Sequence, residues 1–209
     1  MKKLLIIALL SFGLLPLAHA QFGIKGGLNV AELKGRDGES ASYKPFYHVG
    51  IFYQANILGP LSIQPEVQYS VAGGNLKSAV TNYDSELHYL TVPILAKLTL
   101  GPVFVEAGPQ YGVLLSANQS GQMQIGFTPD GQPAYGNESR PASSQFKRND
   151  FSVVGGVGLK LASGFSLGGR LVAGLNDIND AKNLSGINDP KLQNRVFQVY
   201  AAFQFGGRK

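Results

Sequence analysis

The residues able to do chemistry are few and scattered. Cys is absent and His occurs three times, at positions 19, 48 and 88. Without Cys there is no disulfide framework, thiolate metal site or thiol nucleophile. His48 and Ser70 share one parity of adjacent alternating segments, so they stand near each other at one rim. A hydrolytic Ser-His pair also needs hydrogen-bond contact and an orienting acid, and no third member stands out. The pair reads as two polar wall residues, and His88 as a loop residue above the fourth segment. Two separated histidines and dispersed acids give no close ligand cluster for a metal. Gly155-Gly156-Val157-Gly158 lies mid-segment with no helix after it, which disqualifies it as a phosphate cradle. The sequence therefore assigns no catalytic, cofactor-binding or metal-binding residue, and no cofactor is expected.

One constellation does stand out. Glu66, Lys97, Glu106, Lys160 and Arg170 are single charges of mixed sign on otherwise polar or glycine-rich parities. Counted from Gly101, Lys97 and Glu106 fall at nearly equal distances on neighbouring segments, as a cross-strand ion pair requires. Glu66 has comparable depth on the third segment. A water-facing sheet would bear more Lys and Glu, so these sparse charges read as paired with one another. Glu66, Lys97 and Glu106, with Arg170 opposite, are expected to form a structural charge network filling an enclosed interior.

The elements that must position these residues show a period of two almost throughout. One apolar face runs Phe22 to Val30, then Tyr47 to Ile57, Leu61 to Val71, Leu90 to Leu100, Val103 to Val113, Phe151 to Leu161, Phe165 to Ala173 and Phe197 to Phe205. The opposite parity carries Lys25, Asn29, His48, Gln64, Glu66, Gln68, Lys97, Glu106, Gln110, Lys160, Arg170 and Gln198. Tight turns fall at Leu58-Gly59-Pro60, Leu100-Gly101-Pro102 and Ala162-Ser163-Gly164. The other connections, roughly 31 to 45, 72 to 86, 114 to 150 and 174 to 194, are longer and polar. For residues 114 to 150, disorder is the simplest expectation. Strict short-long alternation puts the tight turns at one end, the asymmetry of outer-membrane barrels.

These segments approach or exceed the roughly 9–11 residues that a tilted strand needs to cross hydrocarbon. Only a closed sheet leaves no unpaired edge in lipid. The expected fold is all-β, an eight-stranded antiparallel up-and-down transmembrane β-barrel over residues 21–209. Its interior is just filled by side chains. Outward Phe22, Tyr47, Tyr53, Tyr69, Tyr111, Phe165 and Phe205 would supply interfacial girdles. Residues 1–20 read as a cleaved signal peptide, with Lys2 and Lys3, an apolar run from Leu4 to Leu15 and the Ala18-His19-Ala20 cleavage site. Net charge is +5, two units of it from Lys2 and Lys3, and its even spread gives no support to nucleic-acid binding.

Phe22-Gly23-Ile24-Lys25-Gly26-Gly27-Leu28-Asn29, Gln64-Pro65-Glu66-Val67-Gln68-Tyr69-Ser70 and Tyr89-Leu90-Thr91-Val92-Pro93-Ile94-Leu95-Ala96-Lys97, together with Glu106-Ala107-Gly108-Pro109 and Gly174-Leu175-Asn176-Asp177-Ile178, resemble the PorT-like outer-membrane β-barrel family of Gram-negative bacteria. That resemblance implies an eight-stranded barrel and little chemistry, and its name-giving member is associated with protein secretion across the outer membrane. Expected partners are outer-membrane lipid, the outer-membrane assembly machinery and, through the long loops, secretion components or external ligands. A non-enzymatic barrel with a plugged lumen fits best. A lipid-modifying outer-membrane enzyme and a soluble lipocalin-like barrel are the alternatives, the latter because it shares the alternating pattern.

Overall fold

Branched and aromatic residues at every second position favour extended backbone, and Gly, Ser and Gln between them leave space for neighbouring strands. A computed structural model describes residues 20–34, 44–77, 82–179 and 192–205. The leader read at residues 1–20 lies, Ala20 apart, outside the described residues. The strands are β1 (Ala20–Lys34), β2 (Lys44–Leu58), β3 (Leu61–Lys77), β4 (Asn82–Leu100), β5 (Val103–Phe127), β6 (Pro133–Pro141), β7 (Asn149–Lys160), β8 (Phe165–Gly174) and β9 (Gln193–Gln204). Every pairing is antiparallel. β1 joins β2 and β9, β4 joins β3 and β5, and β5 joins β7, which closes an eight-stranded barrel with β6 left outside the ring. The tight turns rest on left-handed backbone at Gly59 (φ 55°) and Gly101 (φ 61°), which a residue without Cβ adopts at no steric cost. All three turns lie at the end that carries the first residues of β1 and the last of β9, the periplasmic end in this architecture.

The barrel is apolar outside and polar inside. Leu28 is 64% exposed while the next residue, Asn29, is fully buried, and Val67 is 43% exposed beside Glu66 at 1%. A continuous apolar exterior of this extent would be a liability in water and is the lipid-facing wall of a membrane barrel. Phe22, Phe165, Phe203 and Phe205 cluster near the periplasmic end with ring centroids 4.7–6.3 Å apart. Tyr47, Tyr69, Tyr111 and Phe151 band the other end.

Inside, three rings lie over glycines of the adjacent strand. Phe52 covers Gly23, Phe104 covers Gly158, and Tyr200 covers Gly168, each pair in direct register. A Cβ at Gly158 would lie 2.2 Å from the Phe104 ring and 2.5 Å from the Leu167 carbonyl oxygen. Backbone cannot yield as a side chain does. Gly158→Val is therefore expected to cost about 1–3 kcal/mol or to block closure, read as lost heat-modifiable mobility on electrophoresis. Gly155→Val, with open space around its Cβ, is the matched control.

Two expectations need correction. Residues 114–150 are not a long irregular loop: β5 runs on to Phe127 and pairs with β6 to form an external hairpin. His88 belongs to β4 rather than to a loop, and its Nδ1 lies 2.7 Å from the Tyr69 hydroxyl. The misreading of residues 114–150 has a local cause. Tyr89 pairs with Leu114 but His88 with Ser116, so Leu115 is an extra residue in β5. Such a bulge flips the alternation: Phe104, Glu106, Gln110 and Leu114 point inward below it, Ala117 and Gln119 above it.

At the external end, Ala142, Phe146, Ile178 and Leu192 from the connections pack on inward Ala31, Ala72, Leu87, Leu114, Ala117 and Val196 to form an apolar cap. Backbone bonds from Lys147 N–H to the Ile178 carbonyl and from Ile178 N–H to that of Leu192 tie its parts together. Asp177 accepts from the Asn179 and Leu192 backbone N–H groups and from Lys147 Nζ at 3.0 Å. Partial burial works against its ionisation, but these donors outweigh it and hold the carboxyl below the usual aspartate range.

Candidate functional site: the barrel lumen

Because inward positions repeat every second residue on strands of fixed register, polar residues of different strands meet at common depths inside the barrel. The layer nearest the cap contains Tyr89, Asp150, Ser152 and Asn194. Asn194 Nδ2 donates to Asp150 Oδ2 (2.8 Å) and the Tyr89 hydroxyl oxygen (3.2 Å), and Ser152 Oγ donates to Asp150 Oδ1 (3.2 Å). Below it, Asn29 is the hub. Its Nδ2 donates to Ser70 Oγ and to the Tyr47 and Val71 carbonyls, and its Oδ1 accepts from Gln198 Nε2 (3.0 Å) and faces His48 Nδ1 (2.7 Å). An amide oxygen only accepts, so His48 carries its proton on Nδ1.

The central layer is ionic. Glu66 accepts from Arg170 Nη1 (3.0 Å) and Nη2 (3.1 Å), Lys25 Nζ (3.2 Å) and Gln64 Nε2 (2.6 Å), and from Gln68 Nε2. Arg170 also donates through Nε to Glu106 Oε1 (3.0 Å), which accepts from the Tyr200 hydroxyl (2.9 Å). The Lys25 ammonium lies 3.7 Å from the Tyr200 ring centroid. The guanidinium thus links carboxylates from β3 and β5 across the lumen from β8. Burial of these charges is tolerable because each is both paired and hydrogen-bonded.

Of the four residues singled out in the sequence, Glu66, Glu106 and Arg170 come into direct contact. Lys97 and Glu106 are Cα partners across β4 and β5, yet Lys97 Nζ donates to Gln64 Oε1 (3.1 Å) and lies 4.0 Å from the Phe104 ring centroid. Among the described residues Lys97 makes no ion pair. Lys25, left out of the sequence constellation, takes a place beside Glu66. The signal that could have found it is parity: Lys25 is the charged inward residue of β1, at a depth where its Cα partners are Gly50 and Ala202. His48 and Ser70 are Cα partners, but each bonds to Asn29, and among the described residues no acid bonds to either. That arrangement has the parts of a polar wall and lacks a relay that would activate a hydroxyl.

A closed antiparallel barrel with a lipid-facing exterior defines an outer-membrane β-barrel protein. A family model described as outer membrane protein beta-barrel domain matches residues 16–180. The chain belongs to that family, and its place is the outer membrane, in a lipid environment; the soluble lipocalin-like alternative falls with this. Among solved structures it is similar to Neisserial surface protein A, at 12% identity over 90% of this chain and 99% of that one, with a TM-score of 0.51. It is also similar to Ail, the attachment invasion locus protein of Yersinia pestis, at 13% identity, 90% and 99% coverage and TM-score 0.48. OprG from Pseudomonas aeruginosa matches at 11% identity, 90% and 97% coverage and TM-score 0.47. At such identities the likeness concerns the fold alone. No curated relative matches the chain.

Proposed function

We propose that this protein is a non-enzymatic outer-membrane barrel whose lumen is plugged by its own side chains, with a structural, binding or secretion-associated task exercised at its external surface. The observation that carries the reading is the side-chain continuity across the lumen: Lys25, Glu66, Arg170 and Glu106 bridge β1, β3, β8 and β5. The apolar cap of Phe146 and Ile178 supports it at the external end. Paired charges that satisfy one another leave no open ring along which an ion could exchange its hydration shell. The β5–β6 hairpin is the largest external feature among the described residues and the natural place for a binding role. Kinship with PorT-like barrels, a link to secretion components and handling by the assembly machinery belong to the same proposal.

Planar-bilayer recording tests the plug. The refolded chain is expected to give no stepwise conductance above the lipid baseline, and porin-sized steps would refute a closed lumen. Crosslinking from position 137 in intact cells then identifies what the hairpin touches.

A further inference from the structure

The lumen charges do not balance at the periplasmic end. Among the described residues the buried Lys, Arg, Asp and Glu side chains are Lys25, Glu66, Lys97, Glu106, Asp150 and Arg170. Asp150 belongs to the external half: its Cα partner on β5 is Gly112, six residues and about 20 Å along the strand from Glu106. The other five leave three cations against two carboxylates. Arg170 and Lys25 engage Glu66, while Arg170 and Tyr200 engage Glu106 Oε1. The surplus falls on Lys97, whose direct contacts, the Gln64 amide oxygen and the Phe104 ring, are both neutral, while Glu106 and Glu66 act on it only through space. A buried cation without a carboxylate in direct contact is costly to hold.

Lys97 borders a cavity of about 20 Å³ at the tight-turn mouth, lined also by Gln54, Thr99, Lys160, Ser166 and Gln204. No carboxylate of the described residues lines it. Lys160 brings a second ammonium, Thr99 and Ser166 bring hydroxyls, and Gln204 Nε2 is a buried donor with no hydrogen-bond partner. Two ammonium groups and several neutral donors around a space that admits one water-sized atom at the mouth make a receptor for one oxygen of an anion.

We propose that the periplasmic mouth of the barrel binds one oxyanion group, a phosphate or carboxylate, between Lys97 and Lys160. The anion restores neutrality beside Lys97 and takes the free Gln204 donor. The group arrives either as a free ion or as the headgroup of an anionic lipid in the periplasmic leaflet. The proposal holds whether or not the external surface has the binding role proposed above.

The test uses the full chain refolded in nanodiscs of zwitterionic phosphatidylcholine, titrated with inorganic phosphate at constant ionic strength. Amide NMR shifts of Thr99, Ser166 and Gln204 are followed. Saturable shifts confined to the mouth are expected, with apparent affinity reduced about tenfold in Lys160→Gln and largely restored in Lys160→Arg. Lys160 is solvent-exposed, so its replacement leaves the fold intact. In nanodiscs containing phosphatidylglycerol, mouth signals already shifted before phosphate is added assign the group to a lipid headgroup, and shifts that still require phosphate assign it to the free ion. No saturable shift in either lipid, or an unchanged titration in Lys160→Gln, overturns the proposal.

Discussion

Replacing Arg170 with Met is expected to lower the unfolding free energy of the barrel by about 3–5 kcal/mol, because it leaves buried carboxylates without their charge partner. Glu66 keeps Lys25 but loses both guanidinium bonds, and Glu106 keeps only the Tyr200 hydroxyl. Neither can turn to water, since the layers above and below are filled by side chains. With no Trp in the chain, urea titration in lipid vesicles followed by far-UV circular dichroism gives the measurement. The combined variant Arg170→Met, Glu66→Gln, Glu106→Gln should recover much of the loss, since removing all partners together leaves no stranded charge. A single-variant cost below about 1 kcal/mol would mean that water reaches this layer, as around an exposed ion pair.

Val157→Arg is the second large effect. Val157 is an exposed outward residue of β7, midway between Phe151 of the external aromatic band and Ser163 of the periplasmic turn. A guanidinium there meets hydrocarbon, at an expected cost of about 2–4 kcal/mol at the bilayer midplane. Arginine at Leu58, in the periplasmic turn, should cost about 0–1 kcal/mol by the same depth dependence. In a water-soluble barrel with this surface, both substitutions would be nearly neutral. Equal, small costs at the two positions in vesicle unfolding would therefore contradict the lipid-facing assignment.

Much of this architecture was legible in single residues. Leu28 beside Asn29 and Val67 beside Glu66 declare opposite faces of one strand, since neighbouring side chains cannot share a side of a sheet. Gly59-Pro60 and Gly101-Pro102 declare hairpins by their turn chemistry. The external half of β5 was hidden because the bulge at Leu115 reverses parity just where the composition turns to Gln, Ser and Gly. Pattern reading assumes an unbroken period, and one extra residue defeats it.

The sequence by itself determined the alternation, the turns, and hence a closed sheet with its greasy side outward, because these follow from local backbone geometry and from the cost of unpaired strands in lipid. It also determined which side chains enter the lumen, the external half of β5 excepted. Tertiary structure alone decided which of them meet. Arg170 reaches Glu66 across 104 positions of sequence, and Lys25, not Lys97, gains that carboxylate. Strand tilt and register around the ring set those encounters, and no local spacing encodes the depth at which distant strands present their charges.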